Sequence, residues 1–147
     1  MTPLAGLALP FALAAAPVAD FAALRAALVE GHEVRAVIDY HQCQLIEADA
    51  PTGPGPQAIG GMSLLPWELF ETGVVRNDQP YVAASEARLI SHPTRGTVYN
   101  HVKLRLWADG HVDVVARYLD PRSFKIVMDE TFRCDLQQGV RLFVGPS

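Results

Sequence analysis

The chain has 147 residues, half of them hydrophobic, and a formal net charge of −4, which together indicate a single folded domain and exclude global disorder. Residues 1–80 contain three arginines and nine acidic residues, whereas residues 81–147 contain nine basic and seven acidic residues. Neither half has the clustered excess of Lys and Arg that nucleic-acid binding needs, so we predict no nucleic-acid partner.

Residues 1–19 predict a secretory signal peptide. No charged side chain precedes Asp20, and the apolar stretch of residues 4–16 is shorter than the about 20 apolar residues of a membrane-spanning helix. Ala12-Leu13-Ala14 is the best match to a small-residue cleavage pattern. The alternative is an Ala-rich buried helix, which the prolines at positions 3, 10 and 17 disfavour because interior prolines break helices.

This leader sets the expected compartment. We predict a periplasmic or secreted protein whose single mature domain spans residues 20–147 and which has no stable membrane span after cleavage. Such compartments are oxidising, so cysteines in the mature chain are expected to form disulfides.

The first part of the mature chain predicts a helix, a strand and a loop. Asp20 is a typical N-cap, and Phe21, Leu24 and Leu28 follow at helical spacing. Residues 34–40, VRAVIDY, are rich in β-branched side chains and predict a strand. Residues 50–61, APTGPGPQAIGG, predict a loop because they are rich in Pro and Gly.

The central part predicts two more strands. Residues 62–70 predict a strand that Pro66 interrupts, which is typical of an edge strand or a bulge. Residues 81–90, YVAASEARLI, fit both a helix and a strand. We assign a strand there because the neighbouring segments are strands.

Residues 100–119 predict a β-hairpin with a definite register. A three-residue loop, Ala108-Asp109-Gly110, places Gly110 at the left-handed position of a type I turn with a bulge. Period-2 alternation then separates two faces, because a slip by one residue would reverse every side chain. The apolar face carries Val102, Leu104, Leu106, Val112, Val114, Ala116 and Tyr118. The polar face carries His101, Lys103, Arg105, Trp107, His111, Asp113, Val115 and Arg117.

Two further strands are predicted at the end of the chain. Residues 123–134 place Phe124, Ile126, Met128 and Phe132 on one face, and residues 140–144 follow a turn at Gln138-Gly139. Consecutive strands with short connections imply an antiparallel meander. The predicted fold class is α+β, mainly β: an antiparallel meander sheet, open, curled or barrel-like, with one short N-terminal helix.

The two cysteines predict a disulfide. Cys43 and Cys134 each lie near the end of a predicted strand, and an exported chain with an even number of cysteines usually pairs them. The bond would close a loop of about ninety residues, worth up to roughly 4.5 kcal/mol. Two alternatives are a zinc site with His41 and a Cys-His nucleophile. Zinc needs about four ligands, and a nucleophile needs a thiol that stays reduced.

Three segments resemble the VirK family of small exported bacterial proteins. They are residues 21–43 (FAALRAALVEGHEVRAVIDYHQC), 59–70 (IGGMSLLPWELF) and 124–143 (FKIVMDETFRCDLQQGVRLF). The most specific elements are Asp39-x-x-x-Cys43 and Cys134 followed by Gly139-Val140. The resemblance implies a periplasmic or secreted domain linked to virulence, and it transfers no active-site residue.

No group of catalytic residues stands out. Asp129 and Glu130 adjoin on a predicted strand and point to opposite faces, so they do not form one acid/base pair. Asp39 and His41 share a strand face, which could orient an imidazole, but no nucleophile accompanies them. We predict that the protein is not an enzyme and has no cofactor and no metal site.

The polar face of the hairpin is the best candidate binding surface. Lys103, Arg105, Trp107 and Arg117, which we call the binding strip, combine cations with an aromatic ring expected to be exposed. Such a strip can bind an anionic protein or a glycan through hydrogen bonds and stacking. The alternative is an ordinary solvated sheet face on which Arg105 pairs with Asp113.

Two classes of function follow. The preferred one is a non-enzymatic envelope protein that binds another envelope or host protein or a glycan, as a virulence accessory. The alternative is a small-ligand carrier with an apolar cavity in a curled sheet, which requires that the apolar side chains and the helix leave space between them.

Overall fold

The structure, a computed structural model, describes residues 15–145. Within this range two helices and eleven strands follow one another along the chain. They are β1 (Ala16–Val18), α1 (Phe21–Val29), β2 (Val34–Asp39), a 3-10 helix (Tyr40–Gln42), β3 (Gln44–Glu47), β4 (Ala50–Pro54), β5 (Ile59–Ser63), β6 (Trp67–Phe70), β7 (Tyr81–His92), β8 (Gly96–Trp107), β9 (His111–Leu119), β10 (Ile126–Asp135) and β11 (Val140–Val144).

The strands form two open sheets whose ladders are antiparallel. The smaller sheet has the order β1-β11-β2-β5, and the larger has the order β4-β3-β10-β9-β8-β7-β6. Strands β6 to β10 are a meander in which each strand pairs with the next. The predicted class, mainly β with an antiparallel meander and one α-helix, is therefore confirmed. The strands divide into two sheets instead of closing into one.

The inner faces of both sheets and one side of α1 form a single hydrophobic core. Period-2 alternation brings every second residue of each long strand to this side. The fully buried side chains include Phe132, Leu24, Ile38, Leu64, Leu104, Leu106, Leu142, Val82, Val112, Val114 and Val140. Helix α1 contributes Phe21, Leu24, Ala27 and Leu28. Its N-cap is Asp20, as predicted, whose carboxylate accepts a 2.8 Å hydrogen bond from the Ala23 N–H.

The β8–β9 hairpin has the predicted register. Leu104 pairs with Val114, and Arg105 pairs with Asp113. Gly110 has a φ of +93° and its N–H donates to the Trp107 carbonyl at 2.9 Å, as the three-residue loop requires. Leu104 and Val114 are fully buried, so the assignment of the apolar face is confirmed.

Strand β10 departs from the predicted alternation. Phe132 is buried as expected, but Phe124 and Ile126 are more than half exposed. The cause is a register shift between Ile126 and Met128, where the chain carries one extra residue, Val127, relative to β9. Residues before the bulge therefore point away from the core, and the predicted single face for Phe124, Ile126, Met128 and Phe132 is wrong.

The predicted loop of residues 50–61 is also wrong, because it contains β4 and most of β5. Strand β4 lies at the edge of the larger sheet and β5 at the edge of the smaller one. Proline is compatible with edge strands, since one side of such a strand makes no ladder hydrogen bonds. The predicted interruption at Pro66 is confirmed, and the chain crosses there from the smaller sheet to the larger.

Residues 1–14 of the predicted leader lie outside the described residues, and the signal peptide over residues 1–19 stays a prediction. Within the described part, β1 pairs with β11, and Val18 is buried in the core. A cut after Ala14 would keep β1 in the mature protein, whereas a cut after Ala19 would remove it. No helix between residues 15 and 145 has the length and apolarity to cross a bilayer.

Candidate functional site

All four residues of the binding strip lie on the outer face of the larger sheet, which is the face turned away from the core. Lys103, Arg105 and Trp107 alternate on β8 with the buried Leu104 and Leu106. Arg117 lies on the neighbouring β9, and its register partner on β8 is His101. The sheet therefore brings the predicted cations together on one surface.

A groove of about 430 Å³ crosses this face. Its cationic lining is Lys103, Arg105, Arg117 and Arg133, and its other lining residues are Ile46, Asp49, Asp113, Val115 and Thr131. Arg133 was not among the predicted site residues. Its position depends on the pairing of β10 with β9, where Arg133 lies opposite Asp113, and the bulge near Val127 obscures that pairing in the sequence.

A second depression, of about 280 Å³, lies on the other side of Lys103 and Arg105. Glu68 and Phe70 on β6 and Tyr81 on β7 contribute to its lining. The side chains of Lys103 and Arg105 line both depressions, so they form a ridge between them. A ligand in either depression would contact these two cations.

The cations of the groove differ in their ion pairs. The Arg117 Nε lies 2.9 Å from Asp129 Oδ1, and the Arg133 Nε lies 3.4 Å from Asp113 Oδ1. Among residues 15–145, no carboxylate oxygen lies within 4.0 Å of the side-chain nitrogens of Lys103 or Arg105. These two cations are therefore available to an external anion.

Trp107 is half buried, and the expectation of an exposed ring is wrong. It belongs to a row of rings across four strands, with centroid separations of 5.0 Å for Phe70–Tyr81, 4.6 Å for Tyr81–Trp107 and 5.4 Å for Trp107–His111. Its indole N–H donates to Asp113 at 2.8 Å. The indole N–H of Trp107 is thus already bonded within the sheet and cannot donate to a partner at the same time.

The alternative of an Arg105–Asp113 ion pair is not observed. The two residues are opposite in register, but the Asp113 carboxylate accepts from Trp107 and lies against Arg133 instead. The Arg105 guanidinium lies over the Tyr81 ring, 5.8 Å from its centroid, which is a cation–π distance.

His101 reports the electrostatics of this face. Partial burial lowers the pKa of His101, and the nearby charges of Arg117 and Lys103 lower it further. All three causes disfavour a protonated imidazole. The two smaller causes, the charges of Arg117 and Lys103, are the ones that would attract an anion to this part of the outer face.

The disulfide between Cys43 and Cys134 is present, with Cα atoms 4.5 Å apart and a sequence separation of 91. It joins the end of the 3-10 helix to the inner side of β10. Asp39 caps this helix by accepting from the His41 N–H, and the Asp39 N–H donates to the Gly139 carbonyl at 2.8 Å. Asp39 and Gly139, which belong to the most specific elements of the resemblance, thus lie next to the disulfide.

The predicted Asp39–His41 contact does not form between side chains. The His41 Nδ1 lies 3.2 Å from the Gly55 carbonyl, and the Asp39 carboxylate accepts from the backbone of His41 and the Gln42 amide. In the described part of the chain, no three His, Cys, Asp or Glu side chains group together as metal ligands would.

A cavity of about 560 Å³ lies between β2 and β5 of the smaller sheet and β7 and β8 of the larger sheet, and it opens to solvent. Met62, Ile90 and Val102 contribute apolar surface, and Glu86 and Arg88 contribute an ion pair at 2.7 Å. Leu104, Leu106, Val112 and Val114 of the core do not line this cavity and are fully buried.

Comparison with known proteins places the chain in a family. The family model described as VirK protein matches residues 17–124. The fold is similar to the crystal structure of lpg1832, a VirK family protein from Legionella pneumophila, with a TM-score of 0.66, 18% sequence identity, and coverage of 87% of this chain and 98% of that chain. No curated protein sequence matches significantly. Because the family model spans well over half of the chain, the protein belongs to the VirK family.

Proposed function

We propose that this VirK family protein is a non-enzymatic exported protein, periplasmic or secreted, that binds an anionic partner on the outer face of its larger sheet. The partner is another envelope or host protein or a surface glycan, and the protein acts as a virulence accessory. The observation that carries the proposal is the ridge of Lys103 and Arg105, two cations without a carboxylate partner among residues 15–145, between two depressions.

The chemistry of the ridge fits carboxylate, sulfate or phosphate groups. A guanidinium can donate two parallel hydrogen bonds to such a group, and a lysine contributes a point charge. In the ring row Tyr81 is buried, but Phe70, Trp107 and His111 are half-buried and expose part of their ring surface beside the cations. Sugar rings and aromatic side chains of a partner protein both stack on such faces.

The disulfide supports export. A structural disulfide forms and persists in oxidising compartments and is rare where thiols are kept reduced. The bond between Cys43 and Cys134 is buried in the core, where both residues are 2% exposed.

The test uses two anionic probes, polyglutamate and a uronic-acid polysaccharide, titrated by calorimetry at low salt. Lys103→Gln with Arg105→Gln should weaken binding about tenfold or more for each lost cation, because a charge-assisted hydrogen bond contributes roughly 1.5–3 kcal/mol. The matched control is Arg35→Gln with Arg141→Gln, which removes two exposed cations from the smaller sheet. The control should bind like the wild type.

His101 gives an independent readout of the same site. An anion beside Lys103 and Arg117 should raise the pKa of His101 toward its ordinary value, which an NMR pH titration can measure with and without the probe. The proposal would be refuted if the ridge variant and the control lost the same affinity for the probes, or if neither probe changed the pKa of His101.

The carrier function is the second candidate, and the cavity of about 560 Å³ favours it. A carrier should bind an apolar fluorescent probe, and Val102→Trp should abolish that binding by filling the cavity. The ion pair of Glu86 and Arg88 in the lining makes this site less suited to an apolar ligand than a closed hydrophobic pocket.

A further inference from the structure

The distal end of the outer face, far from the hairpin loop of residues 108–110, carries an apolar surface. Leu89, Tyr99, Leu119 and Ile126 are successive register partners on β7, β8, β9 and β10. Phe124 stacks on Tyr99 with ring centroids 5.9 Å apart. We call these five residues, together with Val127, the apolar tip.

The apolar tip lacks a cover within the described chain. Leu89 is 57% exposed, Phe124 63% and Ile126 51%. Directly paired residues of an antiparallel sheet share a face, so these side chains form one contiguous patch and not scattered positions. Contiguous exposed apolar patches rimmed by polar residues mark interaction sites.

The loop that presents Phe124 is held in place by its own hydrogen bonds. The Asp120 carboxylate accepts from the N–H groups of Arg122 and Ser123, and the Phe124 N–H donates to the Asp120 carbonyl at 2.9 Å. Phe124 has a φ of +57°, an unusual conformation for a bulky residue. The aromatic ring is thus fixed outward by the loop.

The surroundings of the tip are basic. The turns beside the tip, residues 92–96 and 119–127, contain Arg95, Arg122 and Lys125 against Asp120, so three positive charges and one negative charge give +2 in a chain of net charge −4. The Arg95 side chain reaches across the tip and donates to the Val127 carbonyl at 3.2 Å. Apolar and cationic groups therefore occupy the same end of the sheet.

We infer that the apolar tip and its basic rim dock the protein on the surface of an anionic phospholipid bilayer. The aromatic and aliphatic side chains would enter the headgroup region, and Arg95, Arg122 and Lys125 would contact lipid phosphates. This inference concerns a different surface from the Lys103–Arg105 ridge and stands without it.

Charge favours a bilayer over a second copy of this chain. Two tips brought face to face would oppose two clusters of net positive charge, which repel each other. An anionic lipid surface offers the complementary sign over the whole area of the tip. It also accepts apolar side chains without requiring a shaped pocket.

The test is vesicle flotation of the full chain with phosphatidylcholine vesicles, with and without phosphatidylglycerol. Binding should require phosphatidylglycerol and fall with added salt. Phe124→Asn with Ile126→Ser should reduce partitioning about tenfold or more, since two apolar anchors are lost. Asn suits position 124 because it tolerates positive φ. Arg122→Gln with Lys125→Gln should cost about fivefold per charge.

The matched control is Val74→Ser with Val75→Ser, which removes two exposed apolar side chains from the β6–β7 loop. It should bind like the wild type. The N-terminal segment is the same in every variant, so a loss confined to tip variants cannot come from it. Equal binding to both vesicle types, unchanged binding of the tip variants, or concentration-dependent dimerisation that the tip variants abolish would overturn the inference.

Discussion

The two faces of the β8–β9 hairpin share one backbone and one register but differ in every other respect. On the inner face Leu104, Leu106, Val112 and Val114 are fully buried between the sheets. On the outer face Lys103 and Arg105 meet solvent and lack a carboxylate partner in the described chain. The inner face is constrained by packing, so its sequence reports the fold. The outer face is not constrained in this way, so its chemistry can report function.

The largest expected effect comes from reversing the inner face. Leu104→Asp places a charge in the core and should lower the free energy of unfolding by about 4–5 kcal/mol. Lys103→Asp, one position away on the outer face, should change it by less than about 1 kcal/mol. Urea titration of both variants measures the contrast, and similar losses would show that the face assignment fails.

Loss of the disulfide should have the next largest effect on the free energy of unfolding. This bond lies in the core, on the same side of the larger sheet as Leu104. Cys43→Ala with Cys134→Ala should lower the free energy of unfolding by up to about 4.5 kcal/mol, since the bond closes a loop of 91 residues. Denaturant titration with and without reductant should show the same loss for the wild type. Two titratable thiols in the native oxidised protein would contradict the bond itself.

Gly139 tests how tightly the inner side is packed around the disulfide. A Cβ at position 139 would lie 2.8 Å from the Cys43 Sγ and 3.1 Å from the Cys134 Cβ, so Gly139→Ala should cost about 2 kcal/mol. Gly61→Ala is the control, because its nearest neighbour would be the Ala36 carbonyl at 3.7 Å. Thermal unfolding that ranks the two variants equally would argue against the crowding.

The smallest expected effect is a pH dependence on the outer face. Burial and the charges of Arg117 and Lys103 lower the pKa of His101 below its unfolded value of 6.5. The unfolded chain therefore binds the proton more readily, and the stability contributed above pH 6.5 is lost as the pH falls through the folded pKa.

His101→Gln should make unfolding stability less sensitive to acid than in the wild type. The measurement is the difference in unfolding free energy between the two proteins at each pH. Both proteins contain Asp109 and Asp120, whose lowered pKa values also make stability fall with falling pH. Identical dependence of stability on pH in the two proteins would show that His101 does not contribute to it.

The hairpin was predictable because apolar residues recur at every second position on both sides of the Ala108-Asp109-Gly110 loop, and one face is buried. The same rule failed at β10, where a single extra residue, Val127, inverts the alternation without any signal in the composition. A different rule failed at residues 59–61, where the Pro and Gly content of residues 50–61 predicted a loop and the structure has a strand. Gly60 is there because a Cβ would lie 3.3 Å from the Tyr40 ring, so this glycine marks close packing and not a turn.

The candidate site was predictable in part for the same reason. The alternation of β8 and β9 located Lys103, Arg105 and Arg117, but Arg133 and the ring row depend on strands distant in the chain. The burial of Trp107 likewise depends on Tyr81, 26 positions earlier. The contacts between side chains on different strands depend on how the strands are divided between the two sheets. The sequence around Pro66 predicts that a strand is interrupted there, but it does not predict that the chain passes from one sheet to the other.

The position of β11 has a consequence for the order of assembly. This last strand of the described chain lies between β1 and β2, so the smaller sheet has no centre until residues 140–144 have been synthesised. The β6–β10 meander, by contrast, can form as its strands emerge, because each pairs with its neighbour in sequence. Strand β1 pairs only with β11, so it has no partner strand until almost all of the chain has been translated or translocated. Completion of the smaller sheet is therefore a late event, in which the first and last strands of residues 15–145 pair.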